Sequence, residues 1–493
     1  MRSPEAYRVH AAPLRPLLAK ELAEIVSGRA LWTMLLLVCP LVGYSFVQAV
    51  SLYGEASAAA LQSTAAATTL SPLDGILVPT FGSFYVAVTL LFPFVAIRVL
   101  GQEKESGSLR LLVQLPYRPS TLVVTKLVAV LAAWALVSIP ALSALAVWAL
   151  LGGHLASPET LNLLFGHLLY GLLVGAIALF AATISESSAT AAIVALAVTI
   201  GSWALDFTLA GQSGLLAWLA QLSLTQTLRP FEQGLLSVGL VLGIVAVICS
   251  LAALSSIWLP PGTPARAKFV RSLPCVLATT VALGMASQIR KSVDVAEDRR
   301  NSFPLADQRL LATLRLPLVV TVNLVPEDPR YIDLRRNVLA KLDRAMPNVT
   351  IVLAGSRQDL AGKSDAYGQV EYVYGNRSDA TRSTSPREIL PLLYALAGTQ
   401  PPTPSPGAEY PGYPLVASAD TTLLWFLGGL PALIAFAWWR SRRPPPVQFS
   451  RFVKETNHEH RQEHESSRHR GVGHCDARAA PSCRPADNNR SLG

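Results

Sequence analysis

The connection "GQEKESGSLRLLVQLPYRP" (residues 101–119) lies between two apolar runs, "PTFGSFYVAVTLLFPFVAIRVL" (79–100) and the run 123–151. A transmembrane helix needs about 20 predominantly apolar residues, and both runs reach that length. A short charged connection between two such runs predicts neighbouring helices that cross a bilayer and meet on one side of it.

Six more apolar runs of comparable length predict further spans. The chain is 51% hydrophobic and 15% charged, whereas soluble domains carry about 25% charged residues. We therefore expect an α-helical polytopic membrane protein with about eight transmembrane helices in contact with membrane lipid. The eight runs are 30–52, 79–100, 123–151, 161–184, 189–209, 235–259, 273–289 and 421–439.

Lys and Arg are concentrated in alternate connections between the runs. The first 29 residues carry five of them, and the connection 101–119 carries three, whereas residues 53–78 and 152–160 carry none. Cytoplasmic connections are enriched in Lys and Arg. The pattern predicts a multi-pass membrane protein with both termini and the connection 101–119 in the cytoplasm. It also explains the net charge of +9 without a nucleic-acid partner.

Composition divides the chain into six parts. A small extracytoplasmic α/β domain is expected between the last two spans, and the polar, His-rich tail has no spacing that fits a defined zinc site. The parts are a cytoplasmic N-terminus with an amphipathic connecting helix (1–29), a six-span domain (30–259), a cytoplasmic loop with the seventh span (260–289), the α/β domain with a Pro-rich linker (290–420), the eighth span (421–439) and a disordered cytoplasmic tail (440–493).

The segment before the first run has apolar residues at helical spacing, with charged residues elsewhere. It predicts an amphipathic helix on the inner membrane surface. The alternative is a cytosolic cap packed on other helices. The apolar residues are Leu14, Leu17, Leu18, Leu22 and Ile25.

Within the α/β domain, three β-branched runs read as strands: "LPLVVTVNLV" (316–325), "NVTIVLAG" (348–355) and "QVEYVYG" (369–375). Helices are expected after Asp328, followed by a proline, and after Ser385, the first residue of a capping box. The order predicts a β-α-β-β-α domain.

The connection 101–119 also predicts a docking element. Charged residues end the span, glycine breaks it, and a short helix with an apolar face restarts before proline. Such a helix, joined rigidly to two spans, suits a groove on a cytosolic partner.

This pattern resembles the permease subunits of type-2 ABC exporters, which share an acidic-basic-acidic turn, Gly-Ser/Thr-Leu, a Leu pair, a Pro and a Lys that opens the third span. The resemblance covers about residues 14–259, where "LSLTQTLRPFEQGLLS" (222–237) is similar to the family's outer re-entrant segment. It implies a coupling helix at about 103–116 that inserts into a separate cytosolic ABC ATPase subunit. The implied coupling residues are Glu103, Glu105, Gly107, Leu109, Leu112 and Pro116.

A second resemblance concerns the stretch 305–352, which is similar to the periplasmic part of the gliding-motility-type ABC transporter auxiliary component. In that family the domain is usually longer and is carried by a separate permease-like chain. Here it is short and fused behind six spans. The domain has no Cys or His, which favours binding or scaffolding over catalysis.

The chain offers no site of its own for ATP. Gly-Lys-Ser at 362–364 follows a strand, but a phosphate-binding loop needs a glycine where Arg357 stands. We expect no cofactor, no metal and no enzymatic activity, with ATP bound by the partner subunit. Charged or polar residues inside spans are candidate pathway residues, here His167 and Asp206, although contact with water near the outer ends would also explain them.

Together with the resemblance to type-2 ABC exporters, these observations predict a membrane-spanning permease subunit of an ATP-driven exporter in a bacterial inner membrane. It would form a homodimer or a heterodimer with another permease, because six spans offer half a pathway. The alternative is an ATPase-linked membrane scaffold that acts on the cell envelope through its extracytoplasmic domain. An external enzyme on a membrane anchor would need a catalytic constellation, and seven further spans would be surplus to it.

Overall fold

The computed structural model describes residues 14–115, 117–208, 223–326, 328–355, 367–402 and 410–442. Eight helices in these residues are long and apolar enough to cross a membrane, which confirms the predicted polytopic helical fold. They are Arg29–Ala60, Leu73–Glu105, Pro119–Leu150, Ser157–Ile184, Ser188–Leu205, Val238–Trp258, Ala265–Gln288 and Asp420–Ser441, called here the first to eighth spans.

The spans alternate in direction, so their ends form two groups. We call the end that holds the connection 101–118 the proximal end, and the opposite end the distal end. A short helix, Leu14–Ser27, precedes the first span and packs on the third. This packing agrees with the alternative of a cap on other helices, and a position on the inner membrane surface stays a prediction.

The second and third spans have features that the apolar runs did not predict. The second begins with a π-helical turn, Leu73–Leu77, and continues through Glu105, so the charged turn belongs to the span helix itself. The third is interrupted at Ser138, where helix Pro119–Val137 gives way to Ile139–Leu150. Pro140, near the start of the second half, has no N–H to donate, which suits a helix start.

The main hydrophobic core lies among the first four spans. Its largest fully buried side chains include Phe46, Phe84, Phe92 and Trp148. The eighth span joins this core through Phe426, whose ring contacts Phe46 at a centroid distance of 5.8 Å.

A short helix, Leu224–Glu232, covers the distal part of the fourth span. Its Phe231 is fully buried, and the backbone oxygen of Phe231 accepts a hydrogen bond from Asn162 Nδ2 at 3.0 Å. Residues 209–222, which lead to this helix, lie outside the described residues.

The α/β domain (residues 292–397) contains a four-stranded sheet. In strand order the sheet reads β4 (Val349–Leu353), β3 (Leu318–Val322), β5 (Val370–Tyr374) and β6 (Arg377–Thr381). Strands β3 and β4 are parallel and the other pairs are antiparallel. The helices of the domain are Leu305–Thr313, Pro329–Leu334 continued through Arg335–Leu339 and Ala340–Ala345, and Pro386–Ala397.

The predicted β-α-β-β-α order lacked one strand of this sheet. The missing strand is β6, "RSDAT", whose side chains are mostly exposed and polar, so it carries no alternating apolar pattern. The sheet and helices enclose a hydrophobic core of their own, centred on Leu318, Val320 and Tyr372.

A second, two-stranded sheet joins the α/β domain to the spans. Strand β1 (Leu235–Ser237) leads into the sixth span, and strand β2 (Ser292–Asp294) follows the seventh; they pair antiparallel. The sheet places the base of the α/β domain at the distal ends of the sixth and seventh spans.

Candidate coupling site

The turn 103–105 ends the second span at the proximal end of the bundle. Its three charged side chains reach four different parts of the chain. Glu103 points to the N-terminal helix and the third span, Lys104 to the end of the fourth span, and Glu105 to the start of the fifth.

Glu103 is buried in a group of charged side chains that we call the ionic cluster. One carboxylate oxygen lies 2.7 Å from Lys126 Nζ, and the other contacts Lys20 Nζ. The cluster consists of Lys20, Glu21, Glu24, Glu103 and Lys126.

Lys126, in the third span, is the centre of the ionic cluster. Its Nζ donates to both carboxylate oxygens of Glu21 at 3.0 Å and to the backbone oxygen of Val99 at 2.8 Å. The side chains of Glu21, Glu103 and Lys126 are each 2–3% exposed. Buried charges are stable only when they are paired and hydrogen-bonded, so the geometry fixes three helices relative to one another.

The sequence pattern had assigned Glu21 to the polar side of the N-terminal helix. The structure places it on the buried face, between Leu17 and Ile25, because residues four apart share one face of a helix. Burial raises the pKa of Glu21, while Lys126 opposes this shift. Burial lowers the pKa of Lys20, but its hydrogen bond and charge interaction with Glu103 outweigh this, and the net shift is upward.

Three carboxylates of this cluster, those of Glu21, Glu24 and Glu103, lie within 4.8 Å of one another. Acidic groups this close also occur in metal sites. Here Lys20 and Lys126 stand among them and supply positive charge, so the arrangement fits an ion-pair cluster.

Lys104 caps the fourth span. Its Nζ donates to the backbone oxygens of Ala182 at 2.7 Å, Thr183 at 2.6 Å and Ser185 at 2.9 Å. The last carbonyl groups of a helix have no partner within the helix, and a cation there also interacts favourably with the helix dipole. Lys104 thus ties the end of the second span to the end of the fourth.

Glu105 meets the start of the fifth span, where its carboxylate accepts a hydrogen bond from Ser188 N at 3.3 Å. An anion is favoured at a helix N-terminus. The close approach depends on Gly101, because a Cβ there would lie 2.3 Å from Ser188 Oγ.

The helix Ser108–Gln114 follows at once. Gly107, at φ +73°, separates it from the second span, in a left-handed conformation that favours glycine. Leu109 is 9% exposed and Leu112 is half-buried, and both contact the main core.

The outward side of this short segment carries residues other than Leu109 and Leu112. Leu111 is 67% exposed and Leu115 is 47% exposed, with Arg110 exposed beside them. Leu109 and Leu112, which are implied coupling residues, contact the main core in this chain, and their part in docking stays a prediction. Pro116 lies outside the described residues.

The candidate pathway residues are not part of the coupling site. His167, in the fourth span, is 2% exposed and lies between the rings of Phe81 and Phe84, at centroid distances of 5.0 and 5.9 Å. Its Nε2 has no hydrogen-bond partner among the described residues. Burial within the chain means that contact with water does not explain it. The backbone of Asp206 belongs to the helix Ser188–Thr208, just past the fifth span, and its side chain lies outside the described residues.

The proximal turn, whose charged side chains contact four neighbouring elements, lies within a segment that matches a family model. Residues 15–238 match the family model of the ABC-2 family transporter protein. The match covers the N-terminal helix, the first five spans and the start of the sixth, and it supports a membrane permease component of an ABC transporter. No curated protein and no solved structure gave a significant match. The likeness of the α/β domain to the gliding-motility-type component stays a prediction.

Sequence reasoning singled out Glu103 and Glu105 but missed their partners. Glu21, Lys126 and Ser188 provide these contacts, and Lys104, the basic residue of the acidic-basic-acidic turn, was given no contact either. A signal existed for Glu21, which shares the spacing of Leu17 and Ile25 and so falls on the apolar face. A charge on such a face predicts a buried partner.

Proposed function

We propose that the chain is the membrane-spanning permease subunit of an ATP-binding-cassette exporter in a bacterial inner membrane, with the proximal end in the cytoplasm. A separate cytosolic ATPase would hydrolyse ATP. The family match over residues 15–238 supports the permease part of this proposal. The observation that carries the coupling part is the turn 103–105, whose three charges each bind a different element.

The proposed mechanism follows from these contacts. A force on the helix Ser108–Gln114 would reach the second span through the backbone around Gly107. Glu103 would pass it to the N-terminal helix and the third span, Lys104 to the fourth span, and Glu105 to the fifth. The spans would then tilt together and switch the pathway from inside-open to outside-open.

The pathway itself would lie between two permeases, since this chain supplies one set of six spans. The second permease would be another copy of the chain or a homologous subunit. ATP would be bound and cleaved by the ATPase partner, and the permease would contribute no catalytic residue.

The contact with the ATPase would involve the outward face of the short helix. Leu111 and Leu115 offer exposed apolar side chains there. A photo-cross-linking amino acid at position 111 should capture a cytosolic protein with a Walker motif in native membranes. The control is the same group at Leu61, which is 69% exposed near the distal end of the first span. Equal capture from both positions, or no ATPase from position 111, would refute the docking assignment.

A scaffold that acts on the envelope through the α/β domain is the second candidate, and one set of contacts favours it. Arg300, at the base of the domain, forms an ion pair with Asp74 and donates to Ser71 Oγ at 2.9 Å, both at the start of the second span. Glu297 Oε2 lies 2.8 Å from His154 Nε2 in the connection between the third and fourth spans. Movement of the spans would therefore move the base of the domain.

Deletion of 293–414 separates the two candidates. An exporter whose domain is accessory should keep substrate-stimulated ATPase activity after the deletion. A scaffold should lose its effect on the envelope while the ATPase stays bound.

A further inference from the structure

A cavity of about 200 Å³ lies where the α/β domain meets the distal ends of the spans. Its floor is the two-stranded sheet, and one wall is the end of the helix that closes with Ala340–Ala345. The residues that matter for its chemistry are Arg290, Lys291, Asp294, Asn301, Lys341 and Arg344.

The lining of this cavity is strongly basic. Four cationic side chains, those of Arg290, Lys291, Lys341 and Arg344, line it against one carboxylate, that of Asp294. Arg290 has a weak outside partner in Asp343, at 3.5 Å.

The one carboxylate that lines the cavity already accepts hydrogen bonds from its own loop. Asp294 accepts hydrogen bonds from the backbone N–H groups of Ala296 at 3.2 Å and Asn301 at 3.0 Å, and from the Asn301 side chain at 3.2 Å. These bonds fold the loop after strand β2, and the carboxylate also interacts electrostatically with Lys341 and Arg344. One carboxylate against four cations offsets only part of their charge, so the cavity keeps an excess of positive charge.

Lys341 and Arg344 are half-buried and close in sequence. Burial lowers the pKa of Lys341, and the charge of Arg344 lowers it further. Arg344 Nη2 donates to the backbone oxygen of Asn301 at 2.5 Å, and Lys341 Nζ lies 5.8 Å from the ring centroid of Phe303. Neither of these contacts is with an anion, so a bound anion would relieve the repulsion between the two cations.

The position of the cavity indicates the source of such an anion. Leu235, on its floor, comes just before the sixth span, which begins at Val238. Arg290 and Lys291 come just after the seventh span, which ends at Gln288. The cavity thus sits at the level where phospholipid headgroups begin. Since liquid water takes about 30 Å³ per molecule, the space accommodates a phosphate group.

We propose that this cavity binds a phosphate-bearing anion, supplied by the headgroup of an anionic phospholipid in the distal leaflet. Two or three charge-assisted hydrogen bonds from Lys341, Arg344 and Lys291 would hold the phosphate oxygens. The site would link the lipid composition of that leaflet to the base of the α/β domain. The proposal is independent of the transported substrate and of the ATPase.

The test uses the intact purified chain in detergent, titrated with phosphatidylglycerol or with inorganic phosphate and followed by native mass spectrometry. The double substitution Lys341→Gln with Arg344→Gln should weaken phosphatidylglycerol binding at least tenfold. The control, Arg309→Gln with Arg387→Gln, removes the same charge from exposed positions of the same domain and should leave binding unchanged.

A third variant guards against misfolding of the double variant. Lys291 is exposed, and Lys291→Gln should weaken binding several-fold in a chain whose fold is intact. If the cavity variants weaken the binding of inorganic phosphate but not that of the lipid, the anion site stands and the lipid is not its source. Equal binding by the control and both cavity variants, or no binding of either probe, would overturn the site.

Discussion

Replacing Lys126 by Met tests the ionic cluster at the proximal end. Lys126 Nζ makes hydrogen bonds to Glu21 and to the backbone oxygen of Val99, and an ion pair with Glu103. Methionine has a similar length and suits the apolar surroundings, so the substitution removes the charge with little change in volume.

The structure sets the size of the effect. Without Lys126, two almost fully buried carboxylates, those of Glu21 and Glu103, would lose their shared cation. Breaking a buried ion pair by removing one partner costs about 3–5 kcal/mol. For a folded unit of 150–250 residues, 1 kcal/mol shifts Tm by about 2–4 °C, so Tm should fall by about 6–20 °C.

A second substitution separates charge from packing. Glu21→Gln in the Lys126→Met background removes one of the stranded carboxylates, and Glu103 still contacts Lys20. Much of the lost stability should return, because replacing a whole buried ion pair is often close to neutral. The coupling free energy between the two positions should exceed about 1 kcal/mol.

The assay is thermal unfolding of the purified chain in mild detergent, followed by the fluorescence of its nine tryptophans. Arg266→Met is the control, since Arg266 is an exposed cation in the first turn of the seventh span and should change Tm little. If Lys126→Met shifts Tm no more than Arg266→Met, the ionic cluster does not hold the three helices together.

Three further predictions concern other parts of the fold. Gly107→Ala should lower the stability of the bundle by about 1–2 kcal/mol in a chemical unfolding assay, because φ is +73° there. Gly43→Ala should loosen the eighth span, since the new Cβ would lie 2.2 Å from Phe426 Cβ, and proteolysis after the eighth span should speed up. The pKa of Asp328 is lowered to about 2, mainly by its hydrogen bond from Arg330. The stability that Asp328 contributes is thus present above its usual pKa and is lost as the pH falls from about 4 to 2. Hydrogen exchange in the helix after Asp328 should therefore rise over this pH range. Asp328→Asn should abolish that rise. If hydrogen exchange in the wild type does not change with pH, the contact between Asp328 and Arg330 is contradicted. Unchanged stability of Gly107→Ala, or unchanged proteolysis of Gly43→Ala, would contradict the reasoning for that glycine.

The spans were predictable because length and hydropathy are local properties of the chain. Eight apolar runs correspond to eight helices, and the charged turn after the second run was recognised as distinctive. The starts of helices in the α/β domain were also predictable from the local sequence. Asp328 and Ser385 each accept a hydrogen bond from the backbone N–H two residues on, as N-caps do.

The partners of the charged turn were not predictable, because they depend on tertiary contacts. Lys104 meets carbonyl groups at Ala182, Thr183 and Ser185, far along the chain, and those backbone atoms carry no residue-type signal. The direction of the short helix was also hidden. Leu109 and Leu111 are identical residues, and only the position of the bundle decides that the first is buried and the second exposed.

The cavity at the base of the α/β domain was likewise not predictable from the sequence. Lys291 and Lys341 are 50 positions apart, and Leu235 reaches the same cavity because strand β2 pairs with the three-residue strand β1. So short a strand leaves almost no periodic pattern in the sequence.

The central claim is that a separate ATPase drives this chain through the proximal end. The most direct measurement is affinity purification of the intact chain from its native membrane in mild detergent, with identification of co-purified proteins and assay of ATP hydrolysis. The account predicts a cytosolic protein with a Walker motif in near-stoichiometric amount, and its loss when Leu111 and Leu115 are both replaced by Asp while the chain stays folded. Absence of any ATPase, including after cross-linking from position 111, would contradict the account.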